Sequence, residues 1–304
     1  MRQTFGLLVP CHNGAAFLPR LFDSIKSQTR GFDEIWVFDD NSDDQSATVA
    51  KQLGAQVIQS DKTIGPSAGR NRLAEACKCD WLHFHDADDT MEPTYLARVS
   101  AVALPPVDIV ICNMVWIDEC TGLVENHWTY DAAQLADRAS AYLLINTVGG
   151  INGLYRRSAF AAICGFDETL SFWEDMDLNI RLFQQGARCA VISEDLVTAY
   201  RRRTSYSNSN LAKVWKVKLQ LMQRMVRDAN PELASTIAAE SENIALRLLD
   251  LGCARDIGQA LRLCREAGGN PPTTNNFFLR ILKALVPTET AFRLQAMRRK
   301  HHKA

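Results

Sequence analysis

Three times in the first ninety residues an apolar run stops abruptly in a polar cluster. Phe5-Gly6-Leu7-Leu8-Val9 runs into Pro10-Cys11-His12-Asn13, and Glu34-Ile35-Trp36-Val37-Phe38 into Asp39-Asp40-Asn41-Ser42-Asp43-Asp44. Trp81-Leu82-His83-Phe84 runs into His85-Asp86-Ala87-Asp88-Asp89. Between these runs lie helical patterns: Phe17, Leu18, Leu21, Phe22 and Ile25 within 15–28, then 46–53 and 68–77, with a short further strand at Gln56–Gln59. Such alternation predicts an α/β fold, a parallel sheet with helices on its faces. Open sheets of that kind bind ligands beyond the carboxyl ends of their strands, so the three clusters should converge at one edge.

The third cluster carries the strongest chemistry. Carboxylates gathered behind one strand repel each other unless a cation neutralises them. Hard divalent ions such as Mg²⁺ and Mn²⁺ take oxygen ligands and bridge carboxylates to substrate phosphates. That predicts metal-assisted group transfer from a phosphate-bearing donor, against an Asp-rich solvated turn. His83 and His85 flank the cluster, and on a buried strand they read as core histidines rather than metal ligands.

The remaining chain bounds the answer. Its 304 residues supply one large domain or a domain with an appendage. Residues 1–210 carry a balance of −9 and residues 211–304 one of +8, an acidic body followed by a basic segment. The overall charge of −1 gives no argument for nucleic acid, and no nucleic-acid partner is expected. Nine scattered cysteines without a Cys-x-x-Cys pair favour a reducing, cytoplasmic setting, and Cys77-Lys78-Cys79 reads as incidental. Phe5–Val9 is too short for a signal peptide, and no apolar run reaches the roughly 20 residues that span a bilayer. Past residue 95 the pattern predicts a strand at 108–115, an uncharged stretch at 139–155 broken by Gly149, Gly150 and Gly153, and a helix at 175–185. Helices are expected from Leu211 onward, at 233–251 and at 257–267.

Five segments in order give the chain a resemblance to glycosyltransferase family 2. They are Val9-Pro10-Cys11-His12-Asn13-Gly14, Asp39-Asp40-Asn41-Ser42-Asp43, Gly69-Arg70-Asn71 and Asp86-Ala87-Asp88-Asp89. The last is Gly165-Phe166-Asp167-Glu168 leading into Trp173-Glu174-Asp175-Met176-Asp177, and the likeness covers roughly residues 3–205. Each is weak alone, and their order makes the signal. The resemblance implies a GT-A, Rossmann-like nucleotide-sugar-binding domain at 1–210, followed by a small all-helical basic region at 211–304. It further implies an inverting glycosyltransferase of the hexosyl or N-acetylhexosaminyl class, with a UDP-sugar donor and Mn²⁺ or Mg²⁺.

By the same resemblance, the loop of Pro10, His12 and Asn13 and the acidic pair hold the nucleotide base. Asp40, or else Asp39, accepts from a uracil-like N–H, and the His12 ring packs on the base. Arg70 reaches the base or diphosphate. Asp88 is the direct metal ligand, and Asp86 lies near the ribose or a metal-bound water. Asp175 is the base that deprotonates the acceptor hydroxyl, Glu174 orients the acceptor or the base, and Asp177 is structural.

One departure bears on the product. Processive relatives place Gln-x-x-Arg-Trp after the Glu-Asp pair; here Tyr200-Arg201-Arg202-Arg203-Thr204-Ser205 follows, without the histidine of many non-processive relatives. That implies transfer of a single sugar, with the arginines closing over the diphosphate or binding an anionic acceptor. The basic stretches 277–286 and 298–303 fit either a helix packed on the domain or peripheral contact with the inner face of a membrane. A glycan or lipid-linked acceptor, as in cell-envelope polysaccharide biosynthesis, suits such contact, and acceptor choice is expected in loops such as 116–150. Two other readings stay open at this point: a nucleotide-sugar-binding module with altered chemistry, and a sugar nucleotidyltransferase. The nucleotidyltransferase would need a glycine-rich basic loop where this chain has Pro10–Gly14.

Overall fold

The computed structural model describes residues 2–202 and 209–269. Contacts divide the chain into two compact units, Met1–Ser205 and Tyr206–Ala304.

The first unit begins as the apolar runs dictate. Strand β1 (Phe5–Cys11) is followed by α1 (Leu18–Lys26), β2 (Glu34–Asp39), α2 (Ser46–Gln52), β3 (Gln56–Gln59), α3 (Pro66–Ala76) and β4 (Trp81–Phe84). These four strands pair in parallel in the order β3-β2-β1-β4. Leu7, Leu8 and Val9 of β1 are wholly buried, as a strand covered on both faces requires. Helix α1 has Pro19 in its first turn and buries Leu18, Leu21, Phe22 and Ile25 against this sheet. Helix α3 approaches closely because Gly69 has no side chain: a Cβ there would meet Phe38 Cδ1 at 2.8 Å.

The expectation of a parallel sheet ends at β4. Next come β5 (Thr90–Met91), α4 (Tyr95–Val102), β6 (Ile109–Asp118), β7 (Val124–Trp128), α5 (Ala132–Ile145), β8 (Gly153–Arg156), α6 (Arg157–Ala162), α7 (Glu174–Gln184) and β9 (Cys189–Arg201). Strand β8 inserts antiparallel between β4 and β6, β6 runs parallel to β9, and β5 closes the row antiparallel to β9. The nine-stranded sheet is therefore mixed. Segment 116–150, expected as loops, holds the end of β6, β7 and α5, and the uncharged stretch 139–155 is the end of α5, a glycine corner and β8. Long β6 and β9 keep pairing because register shifts at Cys112/Asn113 and Asn113/Met114 absorb their mismatch.

The second unit contains α8 (Leu211–Met225), a 3₁₀ turn at Val226–Asp228, α9 (Pro231–Asp250) and α10 (Ala254–Glu266). Asn230 caps α9 by accepting from Leu233 N at 2.8 Å, and Pro231 opens its first turn. Lys218 of α8 and Glu240 of α9 form a buried ion pair at 2.6 Å. The basic stretches 277–286 and 298–303 lie outside the described residues, as do Arg203, Thr204 and Ser205.

Candidate active site

The clusters that follow β1, β2 and β4 stand at the carboxyl edge of the parallel half, where the topology sends them. The first two are locked together. Asn13 N donates to Ser42 Oγ at 2.9 Å, and Asn13 Oδ1 accepts from Asp43 N at 2.9 Å. Gly14 N donates to Ser46 Oγ at 2.8 Å. His12 donates from Nδ1 to the Asp40 carbonyl at 2.8 Å, which leaves Nε2 to accept from Asn13 Nδ2 at 3.2 Å. Asn13 and Asn41 both have positive φ, 53° and 57°, a conformation that asparagine tolerates better than most residues.

The acidic pair divides its work. Asp40 Oδ1 accepts from Ile64 N at 2.7 Å and Oδ2 from Gly65 N at 2.8 Å, so this carboxylate holds the loop between β3 and α3. Asp39 is equally buried, and its Oδ1 has no hydrogen-bond partner within the protein. The sequence reading preferred Asp40 for the base; the side chain with an unsatisfied oxygen is Asp39.

The Gly-Arg-Asn segment joins distant parts. Asn71 donates to Phe166 O at 3.0 Å and to Glu168 Oε1 at 2.9 Å, and its Oδ1 accepts from Phe166 N at 2.9 Å. It thereby pins the Gly165–Glu168 loop to α3. Arg70 is 4% exposed. Its Nη2 donates to Asp86 Oδ1 at 2.8 Å and its Nη1 to Glu174 Oε1 at 2.7 Å. Burial opposes its charge, yet those two carboxylates raise its pKa above the usual arginine value. Both Nη groups of Arg70, which the resemblance sends toward the base or diphosphate, meet carboxylates here, and the guanidinium ties the post-β4 cluster to the start of α7.

Asp175 lies beside Glu174 in the first turn of α7, and its Oδ1 accepts from Met176 N at 2.7 Å. Burial, then the charge of Glu174, pushes its pKa up to about 7. The preceding Trp173 has φ 64°, an outlier for so bulky a residue. Such strain persists only where the surroundings over-determine it, and it gathers at working sites. Asp177 turns away to pair with Arg181 at 2.7 Å, while Arg181 donates to the carbonyls of Ile163 and Gly165 at 2.8 Å each.

Asp88 is surrounded by charge. Burial and then Asp86 raise its pKa; Arg202 and Arg20 act the other way. Arg202 donates to Asp88 Oδ2 and lies 3.4 Å from Glu119 Oε2. Arg20 donates to the Asp88 carbonyl and, at 2.8 Å, to Glu119 Oε1. Asp89 is buried and accepts from Tyr200 N at 2.9 Å, which fixes the end of β9 beside the cluster. Hard oxygen donors with surplus negative charge, already drawing a guanidinium, fit a divalent cation at Asp88 and Asp86. Arg20 and Glu119 escaped the sequence reading because no local pattern marks them.

His83 and His85 are wholly buried. His83 Nδ1 lies 3.0 Å from Gly153 O and 2.7 Å from Tyr95 Oη, and its Nε2 is 3.2 Å from His85 Nδ1. Burial drives both pKa values down, that of His85 to about 3. They are neutral core groups. Cys77 and Cys79, read as incidental, meet Glu34 with ligand atoms within 4.8 Å at the opposite edge of the sheet. Gly150 lies against the Arg70–Asp86 bridge: a Cβ there would come within 3.2 Å of Arg70 Nη2 and 3.8 Å of Asp86 Oδ2.

Comparison with known proteins gives the family and the fold. Residues 7–164 match the family model described as Glycosyl transferase family 2. A PGL/p-HBAD biosynthesis glycosyltransferase of Mycobacterium tuberculosis (strain ATCC 25177 / H37Ra) is 28% identical over 229 residues, 73% of this chain and 86% of the relative. A pre-mycofactocin glycosyltransferase of Mycobacterium tuberculosis (strain ATCC 25618 / H37Rv) is 29% identical over 67% of this chain and 46% of its own length. Among solved structures, S. aureus TarS 1–349 in complex with UDP-GlcNAc superposes with TM-score 0.59 at 17% identity, covering 88% of this chain and 93% of that one. The mannosyltransferase PcManGT from Pyrobaculum calidifontis, in complex with GDP-Man and Mn²⁺, gives 0.61 at 15% identity, covering 100% and 81%. These likenesses establish the GT-A fold and remove the nucleotidyltransferase reading. With its nucleotide-sugar-binding fold and its matched segments, the chain is a glycosyltransferase and belongs to glycosyl transferase family 2.

Proposed function

We propose that this enzyme moves one sugar from a UDP-sugar to a hydroxyl of a glycan or lipid-linked acceptor, with inversion at the anomeric carbon. Donor binding and chemistry belong to residues 1–210, and residues 211–304, helical over the described Leu211–Glu266 part, form an appendage. The observation that carries the reading is Asp175, a half-buried carboxyl beside Glu174 with its pKa raised to about 7, Glu174 being tied through Arg70 to Asp86. A carboxylate titrating near neutrality is matched to removing an alcohol proton as the new bond forms.

The acceptor oxygen attacks the anomeric carbon from the face opposite the diphosphate. As that bond forms, the carbon–oxygen bond to the diphosphate breaks and the electron pair leaves with it. The acceptor proton passes to Asp175. Glu174, held by Arg70, orients the acceptor or the base. Mn²⁺ or Mg²⁺, held by Asp88 with Asp86 beside it, would supply positive charge for the leaving diphosphate. Pro10, His12 and Asn13 form the wall on which the base packs, with Asp39 and Asp40 at its polar edge. The TarS complexes with UDP and UDP-GlcNAc support a uridine donor, whereas the GDP-Man complex of PcManGT keeps other nucleotides within the fold's range. No helix among the described residues is long and apolar enough to cross a membrane.

The test is donor binding and transfer measured on the same Asp175→Asn protein. Normal UDP-sugar affinity with nearly abolished transfer is expected. Near-normal turnover would reject Asp175 as the base.

A further inference from the structure

The cation nearest Asp88 belongs to the chain itself. Arg202 directly follows β9 and donates to Asp88 Oδ2. Its guanidinium carbon stands 4.0 Å from the centre of the Phe17 ring, and its Nε is 3.4 Å from Glu119 Oε2. Glu119 also accepts from Arg20 at 2.8 Å, and Arg20 stacks 3.8 Å from the Tyr200 ring centre. The Arg202 and Asp88 side chains are only 21% and 31% exposed. This pair is a held arrangement, contributed by α1, the post-β4 loop, the post-β6 turn and the end of β9.

A divalent ion would claim the same carboxylate. It cannot share Asp88 with an adjacent guanidinium without like-charge repulsion. Resting on the reading of Asp88 as the metal ligand, we propose that Arg202 is a built-in counter-ion that competes with the divalent cation for Asp88. The free enzyme then binds the ion weakly. A nucleoside diphosphate gives Arg202 another anion and frees Asp88, so nucleotide and ion each tighten the binding of the other.

The experiment titrates Mn²⁺ into the full chain, reads free Mn²⁺ by electron paramagnetic resonance, and repeats the titration with UDP. Wild type, Arg202→Gln, Arg202→Lys and Asp88→Asn are compared. Without UDP, Arg202→Gln is expected to bind Mn²⁺ about tenfold more tightly than wild type, a factor within the usual range of site coupling. The tightening that UDP produces in wild type should shrink by the same factor. Arg202→Lys, which keeps the charge, should stay near wild type, and Asp88→Asn should bind poorly throughout. An Arg202→Gln protein that gains no affinity, while Asp88→Asn loses it, overturns the competition and leaves the metal ligand standing. An equal gain in Arg202→Lys would trace the effect to loosened structure and also overturn it. Unchanged binding by Asp88→Asn would remove the metal assignment and this inference together.

Discussion

The two ends of the carboxyl edge are built on different principles. At the post-β1 and post-β2 loops, polar groups satisfy one another: Asn13, Ser42, Ser46 and both oxygens of Asp40 meet backbone amides. At the post-β4 cluster and the start of α7, Asp86, Asp88, Asp89, Glu174 and Asp175 crowd together, and Arg70 and Arg202 balance them. The first end presents shape. The second stores charge, and stored charge is what lets a site hold a cation and poise a base near neutrality.

Breaking the charged end should cost most. Asp175→Asn is expected to lower kcat by about 10²–10⁴-fold, the usual worth of general-base catalysis, with donor affinity unchanged in a binding titration. Arg70→Met leaves Glu174 without its partner in a largely buried pair while Asp86, more exposed, can turn to water; the expected loss is about 1–3 kcal/mol, measurable by urea unfolding. A loss below 1 kcal/mol would mean that water already compensates the bridge.

The shaped end should yield no more. Asp40→Ala strands the amides of Ile64 and Gly65, a loss of about 1–3 kcal/mol in the same unfolding experiment. Asp39→Asn should weaken UDP binding and leave unfolding nearly unchanged. If the two variants exchange these phenotypes, the division of labour between the aspartates is wrong.

Acidity sharpens the contrast. Asp175 must be ionised to act, so kcat should rise through pH 7 and level off above it. Its folded pKa is raised above the ordinary carboxylate value, so its contribution to stability is intact below pH 4 and lost as pH climbs through 7. Asp175→Asn should therefore melt higher than wild type at pH 8, with the advantage gone near pH 4. Equal melting temperatures at pH 8 would deny the burial cost on which the shift depends.

Much of this was legible in the chain. Strands β1 to β4 follow from apolar runs, and Gln56–Gln59 and Trp81–Phe84 match the expected spans residue for residue. The second half was less readable. The uncharged 139–155 stretch mixes helix, corner and strand, and β9 alternates too weakly along Cys189–Arg201 to announce a strand. Arg70 was visible as a motif residue, but its partners lie 16 and 104 positions away.

Sequence alone determined which residues could do chemistry and on which edge they would gather, because local periodicity fixes strands and a parallel topology sends their ends one way. Tertiary structure alone decided which carboxylate meets which arginine, which aspartate keeps an unsatisfied oxygen, and where the pKa of Asp175 stands. Those properties arise from burial and from charges distant in the chain, and desolvation and Coulomb forces act through space without regard to sequence separation.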